Sequence, residues 1–528
     1  MPELTNADVV VRELMGRGID TIFTVSGNQI LPVIDAAGRA RLRLVHMRHE
    51  TAAVYAAIAS SEMTGQMSVA LVSAGPGFLA SLQGLGVAKS MELPVLLLSG
   101  DAPVNQRGLG AFQELDQRTI ASATCKGSFE LTQDAIRSVF DACGLAVSGI
   151  PGPTHLSLPA DLLAAPASRG KSDLREAGPS LLDEDVPRRL DEIAVLLSNA
   201  ERPLVFARPA AARPVRESEL SKLTDALGVG SVVTESPRGL SDLKYAEIFA
   251  RMKDSDCLLL VGPADFAAGF LNQATIGNPR HVIQIDEHRD PTPHRVDHLY
   301  VHSEAQAALR YLAGRIVRQK PVDPGWAALW PISAPLPAPA QTAEGMHPLA
   351  VSEALRVVLH PDDTVILDGG EFCQWIRYGL RDLPNRILWN GKLGAIGGSI
   401  PMAIGASASA TAGRIFAVLG DGSAGYHLSE FETAARENLV FTAIIGNDAR
   451  WAAEWHMQIE RYGPDRAFST ELTPARYDLA AQGYGGAGAL VDNRAALDDA
   501  LEAALASPIA TCVNAFVAPA RSPAVVTH

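Results

Sequence analysis

The chain has 528 residues and is too long for a single hydrophobic core, because single domains rarely exceed about 250–300 residues, so we expect about three domains. Hydrophobic residues make up 47% of the sequence and charged residues 20%, which gives each domain enough apolar side chains for a core and excludes wholesale disorder. The formal net charge of −14, without a concentrated basic block, disfavours nucleic acid and anionic membrane surfaces as partners.

The N-terminal residues show no basic segment followed by an apolar stretch, and no uninterrupted apolar run is long enough to cross a bilayer. We therefore expect a soluble, cytoplasmic protein. Five cysteines are scattered without the paired spacing of a zinc or redox site, so we expect buried core residues. They are Cys125, Cys143, Cys257, Cys373 and Cys512.

The first third of the chain alternates helical and extended patterns, which is typical of βαβ units around a parallel sheet. A polar segment at 168–179 follows it. The predicted helices lie at 7–16, 30–37, 51–62 and 78–89, and the predicted strands at 21–25, 43–46, 68–73 and 94–99.

Two further stretches repeat this pattern, and residues 331–340 between them are rich in proline, which favours a stiff linker. We therefore predict an α/β fold of three domains, each a doubly wound parallel sheet, at 1–167, 186–320 and 345–520. The strands predicted in the second stretch are 203–207, 230–234, 257–262 and 281–286, and those in the third are 364–367, 386–389, 415–419, 440–446 and 510–517.

The sharpest chemical signal is the run Gly420-Asp421-Gly422-Ser423 at the end of a predicted strand, with Asn447 at the end of the next one. Ligands bind at the carboxyl ends of parallel strands, where a carboxylate and an amide oxygen suit a magnesium ion that bridges a diphosphate. An Asp-Gly pair alone is a commonplace turn. The pairing with Asn447 favours the metal interpretation.

This pairing resembles the diphosphate and magnesium motif of thiamine-diphosphate enzymes, and the resemblance extends in order along nearly the whole chain. It is strongest to the acetolactate synthase and benzaldehyde lyase branch. The further segments that carry it are residues 46–53 (HMRHETAA), 75–77 (GPG), 110–116 (GAFQELD), 152–159 (GPTHLSLP) and 394–397 (GAIG).

The resemblance implies that the first domain binds the pyrimidine of the cofactor and the third its diphosphate. Glu50 would hydrogen-bond the pyrimidine ring nitrogen; the alternative is a solvated carboxylate at a helix start. The carbonyl of Gly394 would accept from the cofactor amino group, and Ile396 would hold the cofactor in its bent form. The remaining cofactor-binding residues would be Gly420, Asp421, Gly422, Ser423 and Asn447, and the metal ligands Asp421, Asn447 and the carbonyl oxygen of Ala449.

On the substrate side, the resemblance points to Gln29 and Gln113 as catalytic residues. A glutamine orients a carbonyl or a water but is a feeble proton carrier, so the pocket would rely on the cofactor for proton transfers. The alternative for both is an ordinary turn residue that faces solvent. Trp451, Trp455 and His456 lie where the family places substrate-covering residues; the alternative is two core aromatics and a surface histidine.

The chain departs from the family pattern at Ala80, where an asparagine is usual, and at Gly446, the first position of a usual Asn-Asn pair. In the central domain, residues 261–265 and 283–286 occupy strand ends where some relatives bind FAD or ADP. No complete G-x-G-x-x-G is present, so a bound nucleotide is not favoured.

These observations predict a thiamine-diphosphate- and Mg²⁺-dependent enzyme that makes or breaks a carbon–carbon bond beside a carbonyl of a 2-oxo acid, aldehyde or 2-hydroxy ketone. The alternatives are a 2-hydroxyacyl-CoA lyase or oxalyl-CoA decarboxylase of the same fold, and a non-catalytic paralogue. The single arginine of the tail, Arg521, argues against binding of coenzyme A phosphates. The resemblance also implies a homodimer or homotetramer with active sites at the subunit interface.

Overall fold

Three sheets account for all seventeen strands in the part of the chain that the structure describes, and every pair of neighbouring strands is parallel. The computed structural model describes residues 4–167, 185–213, 218–236, 238–239, 242–262, 277, 279–287, 298–330, 345–409 and 412–522. The polar segment at 168–179 and the predicted linker at 331–340 lie outside these residues. The α/β fold with parallel sheets is confirmed.

The first sheet has six strands in the order β2-β1-β3-β4-β6-β5. Its central strands β3 and β4 are apolar runs buried along their whole length, as expected for a sheet covered on both faces. The strands are β1 Thr21–Thr24, β2 Arg43–His46, β3 Ser68–Val72, β4 Val95–Asp101, β5 Gly127–Glu130 and β6 Thr154–Pro159, and the helices are α1 Asn6–Gly16, α2 Leu31–Ala40, α3 Glu50–Thr64, α4 Pro76–Met91, α5 Gln117–Ala121, α6 Ala135–Val147 and α7 Ala160–Ala164.

The central region folds around a five-stranded sheet in the order β11-β10-β9-β7-β8. Its core is separate from that of the other two regions. The strands are β7 Pro203–Ala207, β8 Ser231–Val233, β9 Cys257–Val261, β10 His281–Asp286 and β11 His298–His302, and the helices are α8 Val186–Asn199, α9 Glu219–Leu227, α10 Ala246–Arg251, α11 Ala305–Ala313 and α12 Pro324–Ala327.

The third sheet has six strands in the order β13-β12-β14-β15-β17-β16, which repeats the strand order of the first sheet. The strands are β12 Thr364–Leu367, β13 Arg386–Trp389, β14 Ile415–Gly420, β15 Thr442–Asn447, β16 Ala487–Val491 and β17 Thr511–Phe516. The helices are α13 Pro348–Val358, α14 Glu371–Gly379, α15 Ser399–Ala408, α16 Asp421–His427, α17 Glu430–Glu437, α18 Ala452–Tyr462, α19 Tyr477–Gly483 and α20 Arg494–Ala506.

The first and third regions pack together, so that the chain divides into one unit of residues 1–175 with 338–522 and another that covers 176–337. One apolar core runs through both sheets of the first unit. At its centre the alanine-rich helix α3 crosses α15, where Gly405 lies so close to the carbonyl of Ala56 that a Cβ atom would overlap it. The predicted boundaries of the first and third domains therefore enclose two halves of one compact unit.

The five cysteines are buried, as predicted. No helix in the described ranges is long and apolar enough to span a membrane. Four strands had no counterpart in the strand prediction, namely β5, β6, β11 and β16.

Candidate active site

The Gly-Asp-Gly-Ser turn and Asn447 lie side by side, because β14 and β15 are neighbours and Gly420 pairs in register with Gly446. Strand β14 ends at Gly420, and Asp421 begins α16. Strand β15 ends at Asn447. The sheet therefore brings together the two side chains that the sequence selects as metal ligands, at the carboxyl edge where ligands bind.

Asp421 is 2% exposed, and its Oδ2 atom has no hydrogen-bond partner among the described residues. Burial, followed by the nearby carboxylate of Asp448, raises the pKa of Asp421 to about 7, against the lowering effect of the N–H groups of Gly422 and Ala449. A buried carboxylate oxygen without a partner costs free energy unless a ligand occupies it. The site therefore fits a cation.

Asn447 is held by its amide nitrogen, which donates to the carbonyl of Ala475 and to Oδ1 of Asn514, each at 3.1 Å. Its Oδ1 accepts from the N–H of Ala449 at 3.2 Å. Ala449 has a φ of +54°, in the left-handed region, and its carbonyl accepts from the N–H of Leu472 at 2.7 Å. Each oxygen keeps a second lone pair for a metal.

Sequence reasoning gave no role to Asp448, which lies between the two predicted ligands. Burial raises its pKa to about 6, while Arg450 and His456 lower it. This second carboxylate increases the negative potential at the turn and favours a cation there. In the sequence, only the position of Asp448 between Asn447 and Ala449 indicates that it belongs to the site.

The turn at Gly422 lies against the aromatic ring of Trp451. A Cβ atom on Gly422 would lie 2.6 Å from Cζ3 of Trp451, so only glycine allows this approach. Ser423 is buried in the first turn of α16. Trp451 directly precedes α18, and on that helix His456 contacts the buried carboxylate of Glu371 through Nδ1 rather than being a surface residue.

The predicted cofactor-bending turn follows β13. Gly394 and Gly397 have φ values of +67° and +87°, and the buried carboxylate of Asp368 accepts from the N–H of Gly397 at 2.9 Å. Ile396 is half-buried and packs on Gly369. The hydrogen bond from Gly397 to Asp368 therefore holds the turn in place, and Gly394 in the same turn is exposed.

In the first sheet, Glu50 begins α3 directly after β2 and its side chain is half-buried. A Cβ atom on Gly77 would lie 3.3 Å from Oε1 of Glu50, so the carboxylate rests on the glycine turn 75–77. The two segments that the sequence assigned to the pyrimidine side are thus in contact.

Gln29 and Gln113 are joined in one hydrogen-bonded chain and are not solvent-facing turn residues. Ser73 donates to Oε1 of Gln29 at 2.7 Å, and Nε2 of Gln29 donates to Oε1 of Gln113 at 2.8 Å. Gln113 has a φ of +61°, and its carbonyl would lie 2.8 Å from a Cβ atom on Gly75. The amide NH₂ of Gln113 is the donor at the end of this chain.

At the strand ends of the central sheet, Arg208 and Asp286 form a buried ion pair at 3.8 Å, and Gln284 donates to the carbonyl of Gly262 at 3.1 Å. Of the segment predicted at 261–265, residues 263–265 lie outside the described residues. Binding of FAD or ADP stays a prediction that is not favoured.

Comparison with known proteins agrees with this geometry. The family model for the thiamine pyrophosphate enzyme N-terminal TPP binding domain matches residues 4–120, and the model for the C-terminal TPP binding domain matches residues 368–515.

Two relatives match almost end to end. The chain is similar to acetolactate synthase large subunit IlvG of Mycobacterium tuberculosis, with 28% identity over 532 residues that cover 97% of this chain and 95% of that protein. It is also similar to 2-hydroxyacyl-CoA lyase 2 of Danio rerio, with 26% identity over 562 residues that cover 94% and 88%.

Among solved structures, the thiamine diphosphate-dependent 4-hydroxybenzoylformate decarboxylase of Rhodococcus jostii RHA1 matches with a TM-score of 0.83 and 19% identity, covering 98% of this chain and all of that one. This likeness shows the shared fold.

Proposed function

Since the chain belongs to the thiamine pyrophosphate enzyme family, we propose that it is a magnesium-dependent carboligase or decarboxylase that makes or breaks a carbon–carbon bond beside a carbonyl. Its substrates would be small 2-oxo acids, aldehydes or 2-hydroxy ketones. The observation that carries the proposal is that the buried Oδ2 of Asp421, beside Asn447, has no hydrogen-bond partner in the part of the chain that the structure describes. A protein that supplies one carboxylate, one amide oxygen and one carbonyl leaves the remaining positions of a magnesium ion to phosphate oxygens and water.

We assign the cofactor contacts to two groups of residues, one for the metal and the diphosphate and one for the pyrimidine side. Asp421, Asn447 and the carbonyl of Ala449 would hold the metal, and Gly420, Gly422 and Ser423 the diphosphate. Glu50, Gly394 and Ile396 would hold the pyrimidine side. When bound, thiamine diphosphate supplies a carbanion equivalent for bond cleavage or formation next to a carbonyl.

The glutamine pair supports a carbonyl substrate. Ser73 fixes Gln29, and Gln29 donates to the amide oxygen of Gln113, which fixes the orientation of that amide and of its N–H groups. An amide N–H polarises a carbonyl oxygen without transferring a proton at neutral pH. The pair therefore orients the substrate, and the carboxyl group of Glu50 is the group that holds a proton at the pyrimidine.

The second candidate is a 2-hydroxyacyl-CoA lyase, the activity named for relatives with 26% identity. Arg521, the cation of the tail, donates to Glu371 and to Glu460, each at 2.8 Å. A guanidinium that already contacts two carboxylates is a poor partner for the phosphates of coenzyme A. This observation favours substrates without coenzyme A.

For assembly, we propose a homodimer or homotetramer with its active sites at the subunit interface, located in the cytoplasm. The proposal rests on the placement of Glu50 and Asp421 in different halves of the chain and on the family resemblance.

A product screen tests the reaction. The protein, loaded with thiamine diphosphate and Mg²⁺, is incubated with pyruvate, benzoylformate, benzoin and a 2-hydroxyacyl-CoA. We expect turnover of a substrate without coenzyme A. Turnover of the 2-hydroxyacyl-CoA alone would replace the proposal by the second candidate, and turnover of none of them would contradict the substrate class.

A further inference from the structure

The turn that precedes Glu50 is held by a buried carboxylate from the other half of the unit. Glu430, the first residue of α17, is fully buried. Its Oε1 and Oε2 atoms accept from the backbone N–H of Arg48 at 3.0 and 3.3 Å, and Thr433 donates to its Oε2 at 2.6 Å. This carboxylate therefore contacts the chain two residues before the glutamate assigned to the pyrimidine.

Helix α17 contacts the same turn at further points. Arg436 donates to the backbone carbonyl of His46, and the guanidinium of Arg48 lies 3.6 Å from Glu432. His49, the residue between Arg48 and Glu50, caps α3 by accepting from the N–H of Thr51 at 3.1 Å. The backbone path into Glu50 is thus fixed from α17 on one side and from α3 on the other.

The hydrogen bonds between Glu430 and the turn offset the free-energy cost of burying its carboxylate. Burial raises its pKa to about 7, whereas the hydroxyl of Thr433 and the backbone N–H groups of Arg48 and His49 lower it. Burying a carboxylate costs free energy, and a buried backbone N–H also needs a partner. The hydrogen bonds between Glu430 and the N–H groups just before α3 therefore offset the cost of burying both kinds of group.

We propose that Glu430 is a positioning residue that fixes the backbone of the Arg48–His49 turn and thereby the direction in which the Glu50 carboxylate points. The inference rests on the role proposed for Glu50. Loss of the Glu430 charge lets the turn open and misdirects Glu50, without removing a group that contacts the cofactor.

Two measurements on Glu430→Gln test this inference. The first is hydrogen–deuterium exchange of the peptide that contains residues 47–50, followed by mass spectrometry in the cofactor-free protein. The second is exchange of the C2 proton of thiamine diphosphate at saturating cofactor and Mg²⁺. We expect amide exchange to rise and C2 exchange to fall by about tenfold or more, because glutamine has no charge and offers one acceptor oxygen in place of the two that Arg48 and Thr433 contact.

The matched control is Glu432→Gln, which removes a carboxylate of the same helix that contacts the side chains of Arg48 and Arg436 and no backbone group of the turn; both rates should change by much less than in Glu430→Gln. Thr433→Val, which removes the hydroxyl that orients Glu430, should change both rates in the same direction by a smaller factor. This variant keeps the inference testable if Glu430→Gln fails to fold.

The inference is overturned if the variants at 430 and 433 leave amide exchange unchanged, if Glu432→Gln has an equal effect, or if amide exchange rises while C2 exchange stays normal. Glu50→Gln serves as the reference. Normal C2 exchange in Glu50→Gln would overturn the role of Glu50 itself, whereas slow exchange there with normal exchange in Glu430→Gln would overturn only the positioning role.

Discussion

At the residue scale, Oδ2 of Asp421 is the atom that most strongly favours a bound cation. It is buried and has no partner within the described ranges, and a buried polar atom in that state costs about 1–3 kcal/mol. Asp421 and Asn447 could be predicted from sequence because Asp421 directly follows one apolar strand and Asn447 ends the next. Asp448, Ser73 and Glu430 could not, since their importance comes from contacts with residues that are distant in sequence or from burial.

The raised pKa of Asp421 predicts how metal binding depends on pH. In the metal-free protein this pKa is about 7, so the carboxyl group is protonated at lower pH and must lose its proton to bind Mg²⁺. The dissociation constant for Mg²⁺ with thiamine diphosphate should rise about tenfold per pH unit below 7 and level off above pH 8. Calorimetric titration at intervals of about half a pH unit, between about pH 5.5 and 8.5, measures this dissociation constant. A constant affinity across this range would show that Asp421 does not bind the metal.

Glu50→Gln should keep the fold and the affinity for the cofactor but lower turnover by at least about 100-fold, because an amide cannot hold a proton at the pyrimidine nitrogen. Steady-state rates, thermal unfolding and cofactor titration of the same preparation separate these effects. Turnover close to that of the unmodified enzyme would refute the assignment.

At the scale of elements, helix α3 determines how the two halves of the unit meet. Its alanine-rich sequence lets α15 approach until Gly405 touches the backbone of Ala56. No side chain fits at that crossing. The contact therefore places the start of α3, with Glu50, at a fixed position relative to the third sheet.

Gly405→Ala should destabilise the protein by about 3 kcal/mol, since an added methyl group overlaps the backbone of α3. Gly144→Ala is the matched control, because Gly144 lies in α6 with nothing within 4 Å of an added Cβ atom. That change should stabilise by about 0.5–1 kcal/mol through helix propensity. Chemical denaturation gives both values, and equal effects at the two sites would contradict the packing described.

The predicted strands with long runs of Val, Leu and Ile were found, whereas β5 and β16 were missed. Their sequences, GSFE and AGALV, contain glycine, are only four or five residues long and do not alternate polar with apolar residues, and both strands are only partly buried at a sheet edge. Such strands form because a neighbouring strand offers hydrogen bonds, which is a tertiary effect that local sequence does not encode.

For the whole molecule, the repeated strand order of the first and third sheets gives the site two matching halves. The order of motifs along the chain made the family and the fold predictable. The sharing of one core by the two halves was not predictable, because it depends on helix faces that meet only after folding.

Complementation tests the proposed interface site. If Glu50 of one subunit acts with Asp421 of another, a mixture of Glu50→Gln and Asp421→Ala chains should regain activity, since one site of each mixed dimer is intact. At random mixing, about a quarter of all sites would be active. Native mass spectrometry verifies subunit exchange. Exchange without recovery of activity would place the whole site within one chain.

Calorimetric titration of the cofactor-free protein with thiamine diphosphate at pH 8 tests the central claim most directly, in parallel runs with Mg²⁺ and with a chelator, and on Asp421→Ala. We predict saturable binding of one cofactor per chain with Mg²⁺, and a large loss of affinity both in chelator and in Asp421→Ala. Binding of equal strength in all three experiments would contradict the assignment of the Gly-Asp-Gly-Ser turn and Asn447 as the magnesium and diphosphate site.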